Sequence, residues 1–106
     1  MINVITPIEL KTLLEQHKNT ILIDVREKWE YDIVHLEGSI LMPVSNFQNL
    51  YTRLKKKDNI VVYCHHGIRS MNVCEFLANK GFNNLYDLDG GIEVYADEID
   101  PAMTKY

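Results

Sequence analysis

Apolar residues fall into short, nearly unbroken runs along the chain, separated by longer amphipathic stretches. Four runs of five or six residues are strongly apolar or alternate with polar residues: residues 21–25, 39–43, 59–64 and 84–88. Runs of this length that end at polar or turn-forming residues are typical of β-strands, and the least interrupted ones are typical of strands buried on both faces. The pattern therefore predicts four strands, of which 59–64 is the most strand-like.

Between these runs, apolar residues return every three or four positions, as on one face of a helix. Thr6 and Glu9 form a capping-box pattern at the start of the first such stretch, and Ser45 and Gln48 form a second. The helical stretches predicted in this way are residues 7–17, 27–33, 45–54, 68–80 and 92–99. His17 is expected at the edge of the first helical face.

Strands that alternate with helices indicate an α/β fold with a mainly parallel central sheet. The chain has 106 residues and no repeats or low-complexity tracts, so we expect one domain over residues 1–106. The net charge of −4 argues against a nucleic-acid or anionic-membrane surface. No signal-peptide pattern or long apolar stretch is visible, and two cysteines are too few for a secreted disulfide framework; a cytoplasmic protein is expected.

The segment YCHHGIRS, residues 63–70, carries the main candidate chemistry. Cys64 stands where a strand passes into a helix, so the backbone N–H groups around Gly67 can converge on a thiolate or another anion. Arg69 would oppose the helix dipole in the first turn, which is understandable if an anion occupies the loop. The alternatives are a cysteine that only packs in the core and an arginine that only pairs with a surface acid. The grouping of cysteine, glycine and arginine favours the anion-binding interpretation.

Other reactive side chains have simpler explanations. Cys74 lies on the apolar face of the helix that follows Cys64 and is expected to be a buried, inert thiol. His65 and His66 could bind a metal ion with Cys64, but without a second ligand cluster we interpret them as solvent-facing residues that add positive potential. No metal ion is expected.

Three segments together resemble the rhodanese-like sulfurtransferase family. The first is YCHHGIRS; the second is IDVREKWEYDIVHLEGSILMP, residues 23–43; the third is LDGGIEVYADEIDP, residues 88–101. Three departures are mild, since Val34, Ser39 and Tyr95 stand where the family often has glycine, alanine and tryptophan.

The resemblance implies a rhodanese-like α/β fold, with a mainly parallel five-stranded sheet flanked by helices on both faces. It implies that Cys64 is the sulfur-accepting nucleophile and that no cofactor is needed. The expected substrate-binding residues are those that follow it in the loop: His65, His66, Gly67, Ile68, Arg69 and Ser70. Asp24, Arg26 and His35 match the second segment and are expected to give structural support, either by holding the loop or, for Arg26, by pairing with Glu30.

The expected activity is transfer of a sulfane sulfur, through a Cys64 persulfide, from thiosulfate or a similar anion to a thiol, cyanide or protein acceptor. One alternative is a non-enzymatic persulfide carrier or protein-interaction module. A less favoured alternative is a cysteine-dependent phosphatase or arsenate reductase, whose loops resemble Cys-x5-Arg; here four residues separate Cys64 from Arg69. No nucleic-acid or membrane partner is expected, and the oligomeric state stays open.

Overall fold

A single five-stranded sheet forms the centre of the molecule in the computed structural model, which describes residues 2–17 and 19–106. All neighbouring strands pair in parallel, in the order β1-β5-β4-β2-β3. The strands are β1 (Ile2–Ile5), β2 (Ile21–Asp24), β3 (Ile40–Leu41), β4 (Ile60–Tyr63) and β5 (Leu85–Leu88).

Helices connect successive strands, as parallel pairing requires. They are α1 (Pro7–Gln16), α2 (Lys28–Ile33), α3 (Phe47–Leu50), α4 (Ile68–Asn79) and α5 (Gly91–Glu98), and short 3₁₀ turns flank α3 on both sides. Within the described ranges, no helix has both the length and the apolar character needed to cross a bilayer.

The sheet carries a hydrophobic core on each face, because alternate residues of a strand point in opposite directions. In β4, Val61 and Tyr63 belong to the core that Leu10 of α1 and Ile92 of α5 complete. The other face of the same strand packs with residues of α3 and α4, including Phe47, Val73 and Leu77. The expected α/β architecture, with a parallel five-stranded sheet and helices on both faces, is confirmed.

Local expectations were met at the start of the first helix but failed over residues 45–54, where the predicted helix is a four-residue α3 between two 3₁₀ turns. The capping box at the start of α1 is present: Thr6 Oγ1 accepts the Glu9 N–H at 3.2 Å, and the Glu9 carboxylate accepts the Thr6 N–H at 2.8 Å. The predicted capping box at Ser45 is wrong. The Ser45 hydroxyl donates to Glu27 Oε1 at 3.0 Å instead, and α3 begins two residues later without a side-chain cap.

The topology fixes where a functional site can form. β4 lies between β2 and β5, so its carboxyl end is at the middle of one edge of the sheet. Ligands of open parallel sheets bind at this edge. Cys64 is the first residue after β4.

Candidate active site

The Cys64 thiol is held by backbone amides at the carboxyl end of β4. Its Sγ accepts the N–H of Gly67 at 3.1 Å and the N–H of Ser70 at 3.4 Å. The thiol also lies 3.4 Å from Ser70 Oγ, to which it donates. Two amides directed at one sulfur stabilise negative charge on that sulfur, in the way that helix N-termini stabilise anions. We call residues 64–70 the Cys64 loop.

The backbone of the Cys64 loop turns at Gly67, which has a φ of +113° and precedes the first residue of α4. Side chains with a Cβ rarely adopt that conformation, so glycine is required here. Ser70 Oγ donates to the Gly67 carbonyl at 3.1 Å and closes the first turn. The turn therefore directs the Gly67 and Ser70 amides toward Cys64, and the Ser70 amide is one of the first N–H groups of a helix, which lack intrahelical partners.

Helix α5 holds the loop from the other side. The N–H of Ile92 donates to the Cys64 carbonyl at 2.9 Å, and the N–H of Glu93 donates to the His65 carbonyl at 3.2 Å. Gly91 makes this approach possible, because a Cβ at that position would lie 2.3 Å from the His65 carbonyl oxygen. The two carbonyl groups are thus turned toward α5.

A pocket of about 300 Å³ opens beside the thiol, lined by Cys64, His65, His66, Ile68 and Arg69. Although Cys64 is only 1% exposed, the pocket reaches it. Ile68 is 76% exposed at the rim. A small molecule that enters this pocket meets the sulfur.

Arg69 forms a bidentate ion pair with Glu30 of α2. Nη1 donates to Oε2 at 2.7 Å and Nη2 donates to Oε1 at 2.8 Å. Glu30 is buried and also accepts the N–H of Glu27 at 2.9 Å, and the Arg69 guanidinium lowers the pKa of Glu30 to about 2. The acid that pairs with Arg69 is therefore an interior one and not a surface one. That Arg69 also contacts a substrate stays a prediction; its side chain is 34% exposed and lines the pocket.

Asp24 and Arg26 form a fully buried ion pair at the carboxyl end of β2. Arg26 Nη2 donates to Asp24 Oδ2 at 2.7 Å, and the Tyr63 hydroxyl donates to the same oxygen at 2.8 Å. Neither residue hydrogen-bonds directly to the Cys64 loop in the described part of the chain. The alternative in which Arg26 pairs with Glu30 is wrong: among the described residues its ion-pair partner is Asp24, which accepts three of the hydrogen bonds that the Arg26 side chain donates.

Tyr106 connects this buried pair to the loop. Its hydroxyl accepts from Arg26 Nη1 at 2.7 Å and donates to Glu30 Oε1 at 2.9 Å, while its ring stacks on His65 with centroids 4.1 Å apart. Sequence reasoning missed Tyr106, because nothing in its local pattern marks it. It missed the Glu30 partner of Arg69 as well, because the two residues lie 39 positions apart in the sequence.

The three predicted histidines of the site differ in solvent exposure. His66 is exposed, as expected. His65 is not: its side chain is 17% exposed and its ring lies between His66 and Tyr106, and burial lowers its pKa. His35 is exposed and packs locally, with its ring stacked on Tyr31 and Nδ1 2.9 Å from the Tyr31 carbonyl oxygen.

Two further titratable groups are buried where α4 packs on β5. Cys74 is fully buried, which confirms the predicted burial, and burial raises the pKa of its thiol to about 12. That this thiol is inert stays a prediction. Burial also raises the pKa of Asp87, on β5, to about 6. Asp87 Oδ1 has no hydrogen-bond partner among the residues that the structure describes.

Comparison with known proteins gives the family. The sequence model of the rhodanese-like domain matches residues 6–98. The chain is 36% identical over 104 residues to the probable adenylyltransferase/sulfurtransferase MoeZ of Mycobacterium tuberculosis, covering 96% of this chain and 26% of that protein. It is 36% identical over 99 residues to the tRNA uridine(34) hydroxylase of Staphylococcus epidermidis, covering 88% of this chain and 31% of that protein.

A crystal structure of a rhodanese-related protein from Thermoplasma volcanium superposes with a TM-score of 0.83 at 30% identity, covering 92% of this chain and 93% of that one. The chain spans about a quarter to a third of the length of the curated relatives above. The match to the family model extends over most of the chain and includes β2, β4, β5 and the whole Cys64 loop. The chain belongs to the rhodanese-like domain family.

Proposed function

We propose that this chain is a sulfurtransferase that carries a sulfane sulfur on Cys64. The observation that carries the proposal is the convergence of the Gly67 and Ser70 amides on Cys64 Sγ, at 3.1 and 3.4 Å, beside a pocket that admits a small molecule. Such amides would hold the negative terminal sulfur of a persulfide, as an oxyanion hole holds a negative oxygen. Membership of a family with a sulfurtransferase-named relative supports the same activity.

The first half-reaction loads the enzyme. The Cys64 thiolate attacks the outer sulfur of thiosulfate, a new S–S bond forms, and the bond between the two thiosulfate sulfurs breaks. The electron pair of that bond leaves with sulfite. Cys64 then carries a persulfide anion, which the two amides stabilise.

The second half-reaction unloads it. A thiolate, cyanide or a protein thiol attacks the outer sulfur of the persulfide, and Cys64 departs with the electron pair as a thiolate. The two steps return the enzyme to its starting state, so that no redox partner is consumed. We further propose that the donor is a small anion and that the acceptor is a small thiol or a protein. The proposed location is the cytoplasm, which keeps thiols reduced. We propose that residues 1–106 form one domain.

Arg69 has a secondary place in this mechanism. Its guanidinium carries five N–H donors, and two of them are directed at Glu30. The exposed remainder lines the pocket, where its charge favours an anionic donor such as thiosulfate. The bond to Glu30 fixes the direction from which that charge acts.

Intact-mass measurement after treatment with thiosulfate tests the proposal. The wild-type chain should gain the mass of one sulfur atom, and addition of cyanide should remove it with formation of thiocyanate. Cys64→Ser should gain no sulfur. Cys74→Ser is the matched control and should gain sulfur as the wild type does, because the Cys74 thiol is buried with a raised pKa.

Three results would contradict the proposal. Absence of a sulfur adduct on the reduced wild-type chain, with polysulfide as well as thiosulfate, would favour an interaction module without sulfur transfer. An adduct that persists in Cys64→Ser would assign the chemistry to another thiol. Release of phosphate from an aryl phosphate, lost in Cys64→Ser, would favour the phosphatase alternative.

A further inference from the structure

Two histidines line the Cys64 pocket, and one carboxylate lies close to both of them. His65 and His66 follow the carboxyl end of β4, and Glu93 lies in the first turn of α5. The backbone bond from the Glu93 N–H to the His65 carbonyl, 3.2 Å long, fixes the position of one chain segment relative to the other. The sulfur chemistry proposed above gives Glu93 no role.

The donor atoms of these side chains are close enough to share one ion. One donor atom from each of the three residues lies within 4.8 Å of the other two, and His65 Nε2 is 3.6 Å from Glu93 Oε1. Ligands at ~2.0–2.1 Å around a tetrahedral Zn²⁺ lie roughly 3.3–3.4 Å from one another. The His65–Glu93 pair is therefore already near the required spacing. The exposed ring of His66 stacks on the His65 ring, with the two centroids 4.0 Å apart.

The burial of His65 Nε2 gives a second indication. The atom is buried and has no hydrogen-bond partner among the described residues. A buried polar atom without a partner destabilises the folded state, so such atoms are rare in folded proteins. A cation bound between His65 and Glu93 would supply the missing partner.

We propose that His65, His66 and Glu93 bind a divalent transition-metal ion, with Zn²⁺ as the test ion. Two imidazoles and one carboxylate are a common ligand set for zinc, and the fourth position stays open to water or a small molecule. Imidazole ligands favour Zn²⁺ over Mg²⁺ and Ca²⁺, which prefer sites made of oxygen atoms. The alternative that the same contacts allow is a simple His65–Glu93 ion pair without a metal ion.

Calorimetric titration of Zn²⁺ into Cys64→Ser tests the site without interference from the thiolate. We expect one ion bound per chain. Adding Glu93→Gln or His66→Ala to this background should weaken binding at least tenfold, because each removes one of three ligands. Mg²⁺ should show no binding at the same concentrations.

Matched controls come from the same residue types elsewhere. His17→Ala removes an exposed imidazole, and Glu98→Gln removes a carboxylate at the other end of α5; neither should change the affinity. Thermal unfolding of each variant verifies that it is folded. No Zn²⁺ binding, or equal affinity in the control and ligand variants, would overturn the proposal.

A second readout rests on the proposed function. His65 and His66 line the same pocket as Cys64, so an ion held between them would narrow the entry to the thiol. Zn²⁺ should therefore slow persulfide formation in the wild type more than in Glu93→Gln, each compared with its own zinc-free rate. Equal slowing in both would contradict this coupling, whereas the titration in Cys64→Ser tests the site even if the sulfur chemistry is wrong.

Discussion

At the scale of single residues, the contacts of Arg69 indicate two roles for one side chain: it pairs with Glu30 and it lines the pocket. The guanidinium neutralises an interior carboxylate, whose side chain is only 5% exposed, and it also faces the pocket. Removing one partner of a buried ion pair leaves a charge without compensation, which costs more than the pair itself contributes. A simple Arg69→Ala variant would thus change folding and substrate binding together.

We expect Arg69→Met to lower the free energy of unfolding by roughly 3 kcal/mol, because Glu30 is left buried without its cation. The double variant Glu30→Gln, Arg69→Met should lose less, since no carboxylate remains to be compensated. Urea unfolding measures both. A double variant that is less stable than Arg69→Met would show that neutralisation of Glu30 is not the main function of the pair.

The double variant also isolates the catalytic contribution of Arg69. If Arg69 meets the donor, thiosulfate should load Cys64 more slowly in the double variant than in Glu30→Gln alone, while a polysulfide donor should be less affected. Stopped-flow measurement of sulfite release, and mass measurement for the polysulfide, give the two rates. Equal losses for both donors would assign Arg69 a purely structural role.

At the scale of elements, the N-terminus of α5 packs against the Cys64 loop and holds it in place. Gly91 has a φ of +64°, and any Cβ there would collide with the His65 carbonyl. Gly38 offers a matched comparison: its φ is +82°, but an added Cβ would meet nothing within 4 Å. Alanine substitution at Gly38 therefore tests backbone strain alone, whereas substitution at Gly91 tests strain together with a steric clash.

Gly38→Ala should cost only the strain of a left-handed alanine, about 1 kcal/mol. Gly91→Ala should cost at least ~2 kcal/mol more, because α5 must move away from the loop. It should also slow persulfide formation, since the Cys64 and His65 carbonyls lose their partners. Urea unfolding and sulfur loading of the two variants compare these effects. Equal stability losses would contradict the claim that close packing of α5 holds the loop.

At the same scale, some strands were predictable from the sequence and others were not. The strands at 21–25 and 59–64 were predictable because their residues are largely buried and the apolar runs are correspondingly dense, and the strand at 84–88 was predictable from its alternation of apolar and polar residues. β1 was not predicted, because it is an edge strand with Asn3 and Val4 exposed and so carries a weak pattern. The partners of the loop residues lie far away in sequence, as Glu30 does from Arg69, and no local spacing encodes such contacts.

At the scale of the whole molecule, the interior holds more ionisable groups than the proposed chemistry requires. Asp87 is 4% exposed, and its Oδ1 lacks a partner among the described residues. Burial raises its pKa from 3.8 to about 6, so the folded state holds its proton at pH values where the unfolded state has released it. Stability from this group is therefore fully present below pH 3.8 and is lost as the pH rises through 6.

We expect Asp87→Asn to stabilise the protein by roughly 2–3 kcal/mol at pH 8 and to change little at pH 4, because it removes an ionisable group that is buried at a cost. Thermal or urea unfolding at the two pH values measures the difference. Asp100→Asn, at an exposed carboxylate, is the control and should show no such dependence. A gain that is equal at both pH values would contradict the assignment to ionisation.

The groups that hold Cys64 Sγ are mostly main-chain atoms, apart from the Ser70 hydroxyl. Their placement depends on backbone turns and not on the identity of the side chains at positions 65, 66 and 68. The proposed capacity of Cys64 to carry sulfur can therefore persist when those three side chains change, whereas changes at positions 65 and 66 would remove the proposed metal site. Among paralogues of this domain, changes in acceptor preference should accumulate there first.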